Sequence, residues 1–205
     1  MKSRIDRVEV FVDGFNLYFG IAESAFVHSK WLNISALIDS YLTSNQKLVA
    51  IKYFTSRITN SPAKQKRQTI FLEAIESTGI QIIYGMYKAI NIECNNCGHT
   101  WSISNEKMTD VNIATHLILD ANADKYDTAI LISGDSDLVP PIKAVLSNFP
   151  AKSVSVFFPP NRHNNTVAAA AKGSLIIGRK RIIENQFPEE VTKADGYILH
   201  KPAEW

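Results

Sequence analysis

With 205 residues, 45% of them apolar and 20% charged, the chain has the size and composition of one domain with a substantial buried core. A formal charge of +2 is too small to argue for a nucleic-acid partner, so electrostatic recognition has to come from local clusters. No apolar run approaches the roughly 20 residues needed to span a bilayer. The charged residues 1–7 lead into no apolar signal core. Two cysteines cannot build a disulfide framework. The expectation is a cytoplasmic protein without a membrane partner.

Residues 8–12 form a β-branched and aromatic run bounded by Asp13-Gly14, a buried first strand. Asn33 then caps a helix whose apolar Ile34, Leu37, Ile38, Tyr41 and Leu42 follow helical spacing. Residues 48–55 read as a second strand. Ser61-Pro62 starts a helix with a buried stripe at Ile70, Phe71, Ala74 and Ile75, stopped by Gly79. Residues 80–87 read as a third strand. The polar stretch 91–106 carries both cysteines, breaks the alternation and reads as an insertion or hairpin, with bounds near 90–106.

Thr109 caps the next helix, with Val111, Ala114, Leu117, Ile118 and Ala121 on one face. Residues 128–133 make a fourth strand ending in Gly134-Asp135, followed by a helix over 138–146. Residues 153–158 make a fifth strand closed by Pro159-Pro160. Beyond Asn161 come a short Ala-rich helix, an apolar patch at Leu175-Ile176-Ile177 and a polar tail expected to be partly ordered. Strands alternating with helices predict an α/β fold, a three-layer α/β/α domain whose mostly parallel sheet has about five strands. Residues 1–160 are the expected domain. Residues 161–205 are an extension packing on it or trailing it.

The chemistry gathers at strand ends. Asp13 and Asp135 follow apolar runs expected to be neighbouring central strands, and open parallel sheets place ligands at that edge. Asp137 lies two residues beyond Asp135, and Asp110 falls in the first turn of a helix pointing the same way. Asp-Gly is an ordinary turn and Ser-Asp an ordinary helix cap when each stands alone. Together, several carboxylates at one edge repel one another unless a hard cation such as Mg²⁺ or Mn²⁺ neutralises them. Asn16 could bond a phosphate or a metal-bound water, and Ser133 and Ser136 could donate to the same acids or to a substrate.

Three separated stretches carry a family likeness. Val12-Asp-Gly-Phe-Asn16, residues 106–114 and residues 132–142 resemble the signatures of NYN-domain proteins of the PIN-like nuclease superfamily, which include the bacterial LabA-type proteins. The resemblance covers roughly residues 5–160. It implies an α/β/α fold, an acid cluster binding Mg²⁺ or Mn²⁺, and metal-dependent cleavage of RNA. Carried over, the metal-binding acids are Asp13, Asp110, Asp135 and Asp137, with Asn16 as the polar residue that follows the first strand.

Cys94-Asn-Asn-Cys97 has the spacing of half a zinc knuckle, and His99 is a weak third ligand. A second copy of the chain could complete a Zn²⁺ site and make it a homodimer clamp. The plain alternative is two reduced thiols in a hairpin, which could also serve as a substrate flap. Among basic residues, Lys107 and Arg162 lie nearest the acidic edge in sequence and are the candidates for substrate phosphates. Lys64, Lys66, Arg67 and residues 179–181 read as solvated faces. Phe15, Tyr18 and His163 are packed core or a platform for an unpaired base.

The leading expectation is a metal-dependent ribonuclease acting on single-stranded or looped RNA. The alternative is a non-catalytic RNA- or protein-interaction module with a structural zinc or dimer site. A phosphatase of the aspartyl type does not fit, because Gly14 and Phe15 follow Asp13 where a second acid is required.

Overall fold

A computed structural model describes residues 4–59 and 61–205, with the backbone course alone at 87–91 and 101–106. Six strands share one sheet: β1 (Asp6–Asp13), β2 (Gln46–Thr55), β3 (Gln81–Tyr84), β6 (Thr128–Ile132), β7 (Ser153–Phe158) and β8 (Gly173–Ile176). Their order is β3-β2-β1-β6-β7-β8, and every neighbouring pair is parallel. β1 lies in the interior and is buried on both faces, which is why its sequence is nearly continuous in apolar residues. Val8, Val10 and Val12 pack beneath α1 (Gly14–Ala22), α2 (Ile34–Asp39) and α3 (Pro62–Glu76). Phe11 packs on the opposite side beneath α4 (Thr109–Asn122) and α5 (Val139–Asn148). Among the described residues no helix is long and apolar enough to cross a membrane.

The α/β/α expectation is met, with several local differences. The sheet has six strands, because the apolar patch after residue 173 joins its edge as β8. The residues after Asp13 form α1 instead of a simple turn. Gly14 permits this, since a Cβ there would stand 2.6 Å from the Tyr53 ring. The expected third strand stops at Tyr84, and Met86 opens a separate antiparallel hairpin, β4 (Met86–Glu93) with β5 (Thr100–Lys107). Residues 161–205 form α6 (Asn165–Ala170), β8, α7 (Arg179–Glu184) and a small pair, β9 (Glu190–Thr192) and β10 (Ile198–His200). Ile182, Phe187, Leu199 and Trp205 are buried in the core under α1–α3, so this tail is packed where partial order was expected.

A buried ionic cluster fixes α4 to the sheet. Lys52 on β2 bridges Glu9 on β1, at 2.9 Å, and Asp120 on α4, while Lys125 reaches Asp120 at 2.7 Å. Burial pushes the Glu9 carboxyl up. Burial works the same way on Asp120, but hydrogen bonds from Lys125 and Lys52 outweigh it and hold that carboxyl below its ordinary value. At the other end of β6, Arg7 forks onto Asp127 through Nε (2.9 Å) and Nη2 (2.9 Å). That bidentate pair holds the Asp127 carboxyl far below the usual range.

Two measurements probe this framework. Lys52→Met leaves Glu9 buried without its cation and Asp120 with Lys125 alone, and should reduce the free energy of urea unfolding by about 3–5 kcal/mol. Asp120 and Asp127 are both depressed, so their stabilisation is complete above about pH 4 and lost as the pH falls below it. Glu9 is raised and acts with the opposite sign. Denaturant titrations between pH 7 and 3 should therefore show an acid-side loss, and Arg7→Ala should make it shallower.

Candidate functional site

The site grows out of the β1–β6 pairing. Val12 lies opposite Ile132, so the next residues, Asp13 and Ser133, leave the sheet side by side at its C-terminal edge. Asp13 caps α1, its Oδ1 accepting the Asn16 N–H at 3.0 Å. Its Oδ2 accepts the Ser133 hydroxyl at 2.9 Å, and the same Ser133 Oγ accepts the Asp135 N–H at 3.1 Å. The Asn16 side chain reaches across and accepts the Gly134 N–H at 3.0 Å. Asp135 in turn caps the 3-10 turn Ser136–Leu138, its Oδ1 accepting the Asp137 N–H at 2.9 Å. Both strand-end loops are thereby tied into one hydrogen-bonded unit.

Asp110 arrives from a third segment. Met108, immediately before α4, holds a left-handed backbone at φ +80°, an unfavourable geometry for a non-glycine residue. It turns the chain out of β5 and into α4. Asp13, Asp110 and Asp135 then line one polar pocket of about 200 Å³, with Asn16, Thr109 and Arg162. Arg162 comes from the turn after β7, where Asn161 is also left-handed at φ +59°. Its Nη2 donates to Glu23 at 2.6 Å, while its Nε is buried without a hydrogen-bond partner among the described residues. The backbone of Gly134 presses against the Arg162 carbonyl so closely that a Cβ would lie 1.8 Å from that oxygen.

The remaining predicted residues fall elsewhere. Asp137 and Ser136 are exposed on the outside of the 3-10 turn and do not line the pocket. Ser133 is fully buried between the two acids, which makes it a positioning group. Lys107 is exposed at the end of β5, outside the pocket lining. Cys94, Cys97 and His99 sit at the hairpin turn, closed by Cys94 N–H to His99 O at 2.8 Å and by Gly98 N–H to Cys94 O at 2.9 Å. N–H groups of Asn96 and Cys97 and the Cys97 thiol hold the Cys94 thiol below its ordinary pKa. Sequence reasoning missed Phe19 and Thr109 as pocket residues. The i, i+4 spacing of Phe15 and Phe19 would have flagged the first, had α1 been recognised.

Among the described residues, no three His, Cys, Asp or Glu side chains stand close enough to form a ready-made metal cage. The donor set of the acidic pocket nevertheless suits a hard cation. Three carboxylates offer oxygen ligands only, and Mg²⁺ commonly keeps several waters around one or two carboxylates. The hairpin offers two sulfurs, half of a tetrahedral zinc set.

An open parallel sheet whose strand order reverses about β1, with acids at its C-terminal edge, defines an α/β domain of the switch-point class. The NYN domain family matches residues 7–177, and the chain belongs to that family, within the PIN-like nuclease superfamily. It is 23% identical to 6-hydroxy-3-succinoylpyridine 3-monooxygenase HspA of Pseudomonas putida (strain DSM 28022 / S16), over 81% of this chain and 65% of that protein. The chain thus spans about two thirds of the length of that relative. The crystal structure of VPA0982 from Vibrio parahaemolyticus, a protein of unknown function, shares the fold. Its TM-score is 0.59 at 19% identity, covering 87% of this chain and 97% of the other.

The tight approach at Gly134 has a measurable consequence. Gly134→Ala forces the loop away from Arg162 and should cost about 1–3 kcal/mol, seen as a melting temperature lower by roughly 2–10 °C.

Proposed function

We propose that this protein is a metal-dependent ribonuclease that hydrolyses phosphodiester bonds of single-stranded or looped RNA at the Asp13–Asp110–Asp135 pocket. The observation that carries this reading is the convergence of three carboxylates, from three distant segments, on one polar pocket at the sheet edge. The family supports it at a coarser level, since NYN domains are nuclease-like and act on nucleic acid.

In this reading Asp13, Asp110 and Asp135 hold Mg²⁺ or Mn²⁺. The ion, when bound, would offset charge on the phosphate oxygens and lower the pKa of a coordinated water. Asp13 is the most rigid of the three, buried and held by Asn16 and Ser133. Asn16 and Ser133 keep the two strand-end loops in register, so the carboxylates do not have to be ordered when substrate arrives. Arg162 lines the pocket, with its guanidinium anchored on Glu23, and would take a phosphate oxygen. Asp137, outside the pocket, has no part in holding the ion, and Lys107 at the hairpin base would meet a flanking phosphate. HspA bears the name of a monooxygenase, a different chemistry, in a protein of which this chain spans 65%. The all-carboxylate donor set here supports hydrolysis.

A second role is favoured at the hairpin, where the N–H groups of Asn96 and Cys97 and the Cys97 thiol hold the Cys94 thiol below its ordinary pKa. Two thiolates from each of two copies would complete a tetrahedral Zn²⁺ clamp and make a homodimer. A hairpin of this kind is also the core of the alternative in which the protein is an interaction module without catalysis.

Purified protein with Mn²⁺ should degrade single-stranded RNA. Asp13→Asn and Asp135→Asn should each slow cleavage by on the order of 10²–10³-fold with the melting temperature kept within a few degrees. Undiminished cleavage in both variants would defeat the assignment. For the hairpin, zinc should copurify at about half an ion per chain, and Cys94→Ser should release it and halve the mass in solution. A zinc-free protein of unchanged mass would remove the clamp.

A further inference from the structure

Beside the acidic pocket lies a second, apolar one of about 320 Å³ that shares Phe15 and Phe19 with it. The two cavities are therefore contiguous across one turn of α1. The buried face of that helix, Leu17 and Ile21, belongs to the core. Its other face presents Tyr18 at 37% and Phe19 at 46% exposure, with Phe15 half-buried. Three aromatic rings gathered at the mouth of a cavity are unfavourable in water unless something covers them.

The ring geometry is that of a platform. Phe15 and Phe19 stack with centroids 6.4 Å apart and planes 21° off parallel. Tyr18 meets Phe19 edge-on at 5.3 Å. Tyr53 and Phe71 line the cavity further in, and Trp205 closes its side, 6.2 Å from Tyr18. Lys64 and Arg67 from the first turns of α3 join the same lining, Arg67 sharing its charge with Glu204 at 2.9 Å. The volume suits a single planar group and is at the lower end of the range for ligand sites. An aromatic platform with cationic groups beside it takes a planar heteroaromatic ring that carries an anion.

We propose that this cavity receives one unpaired nucleobase of the strand being cleaved, stacked on Phe15 and Phe19, with Lys64 and Arg67 on a neighbouring phosphate. The inference rests on reading the acidic pocket as the seat of the scissile phosphate. Contiguity of the pockets is what selects a nucleotide over a free heteroaromatic acid, because one strand can occupy both at once. A base held in a duplex cannot enter, so the cavity imposes a single-strand requirement. Its walls are largely apolar, so every base is accepted through its π-face and sequence preference is weak.

The test uses a labelled uridine hexamer and the same sugar–phosphate backbone without bases. Both are titrated against Asp135→Asn protein in Mg²⁺, in which cleavage is slowed. The base-bearing hexamer should bind about tenfold more tightly. Adding Phe19→Leu, which keeps an apolar side chain but removes the ring, should abolish that advantage without lowering the melting temperature. Equal binding of the two oligomers, or an advantage that survives Phe19→Leu, overturns the proposal. So does Phe19-dependent binding of pyridine-3-carboxylate in the calorimeter by a protein that ignores the hexamer. If wild-type protein fails to cleave RNA while the base advantage and its loss both persist, the nuclease reading falls and the base pocket stands.

Discussion

The parallel register of β1 and β6 is the constraint on which the site depends. Because Val12 faces Ile132, the two chains emerge together, and the Ser133 hydroxyl can bond Asp13 while accepting from the Asp135 backbone. A slip of one residue would turn Asp13 to the other face of the sheet and leave Ser133 without that partner. The pairing is held from the far end as well. Arg7 forks onto Asp127 just before β6, and Lys52 bridges Glu9 to Asp120, locking sheet and α4 together. Asp110 at the start of α4 inherits its position from that lock at the helix's other end.

Charge is organised in layers around this edge. On the pocket floor Asp13 accepts hydrogen bonds from Asn16 and Ser133, and Asp135 from the Asp137 N–H, which offset part of the acids' mutual repulsion. Arg162 stands against them, itself balanced by Glu23. The near-neutral net charge of the chain therefore conceals a local pattern of acids at the sheet edge and cations on α3, at the mouth of the neighbouring cavity. The proposed division of labour follows from it. The acidic pocket addresses the backbone, which every nucleic acid shares, and the aromatic cavity addresses the unpaired state of a base.

Much of the fold was legible in the sequence. Residues 8–12, 48–55, 128–132 and 153–158 lie in strands, the fourth ending just before Ser133, and the helices begun by Asn33 and Pro62 start where their cap and proline imply, whereas Thr109 is the first residue of α4 and Met108 its cap. These features are local, set by side-chain period and by which residues satisfy a helix end. The failures were local signals with two meanings. Asp13-Gly14 reads as a turn, yet the same carboxylate caps α1. Gly173–Ile176 is too short a run to distinguish an edge strand from a loop until β7 is seen beside it.

By itself, the sequence determined the alternation of strands and helices, the chemical character of the acidic strand ends and the likeness to NYN domains. Only the tertiary structure decided which residues meet. Lys107 and Arg162 were equally plausible partners for the acids, and Arg162 alone lines the pocket. Asp137 is two residues from Asp135 yet faces outward, because Asp135 caps a tight turn that carries it away. Phe15, Lys64 and Trp205 share a cavity although they are spread across nearly the whole chain. The reason is physical: hydrogen-bonding period acts over a few residues, whereas proximity at a sheet edge depends on strand order, and β1 draws its partner β6 from about 120 residues away.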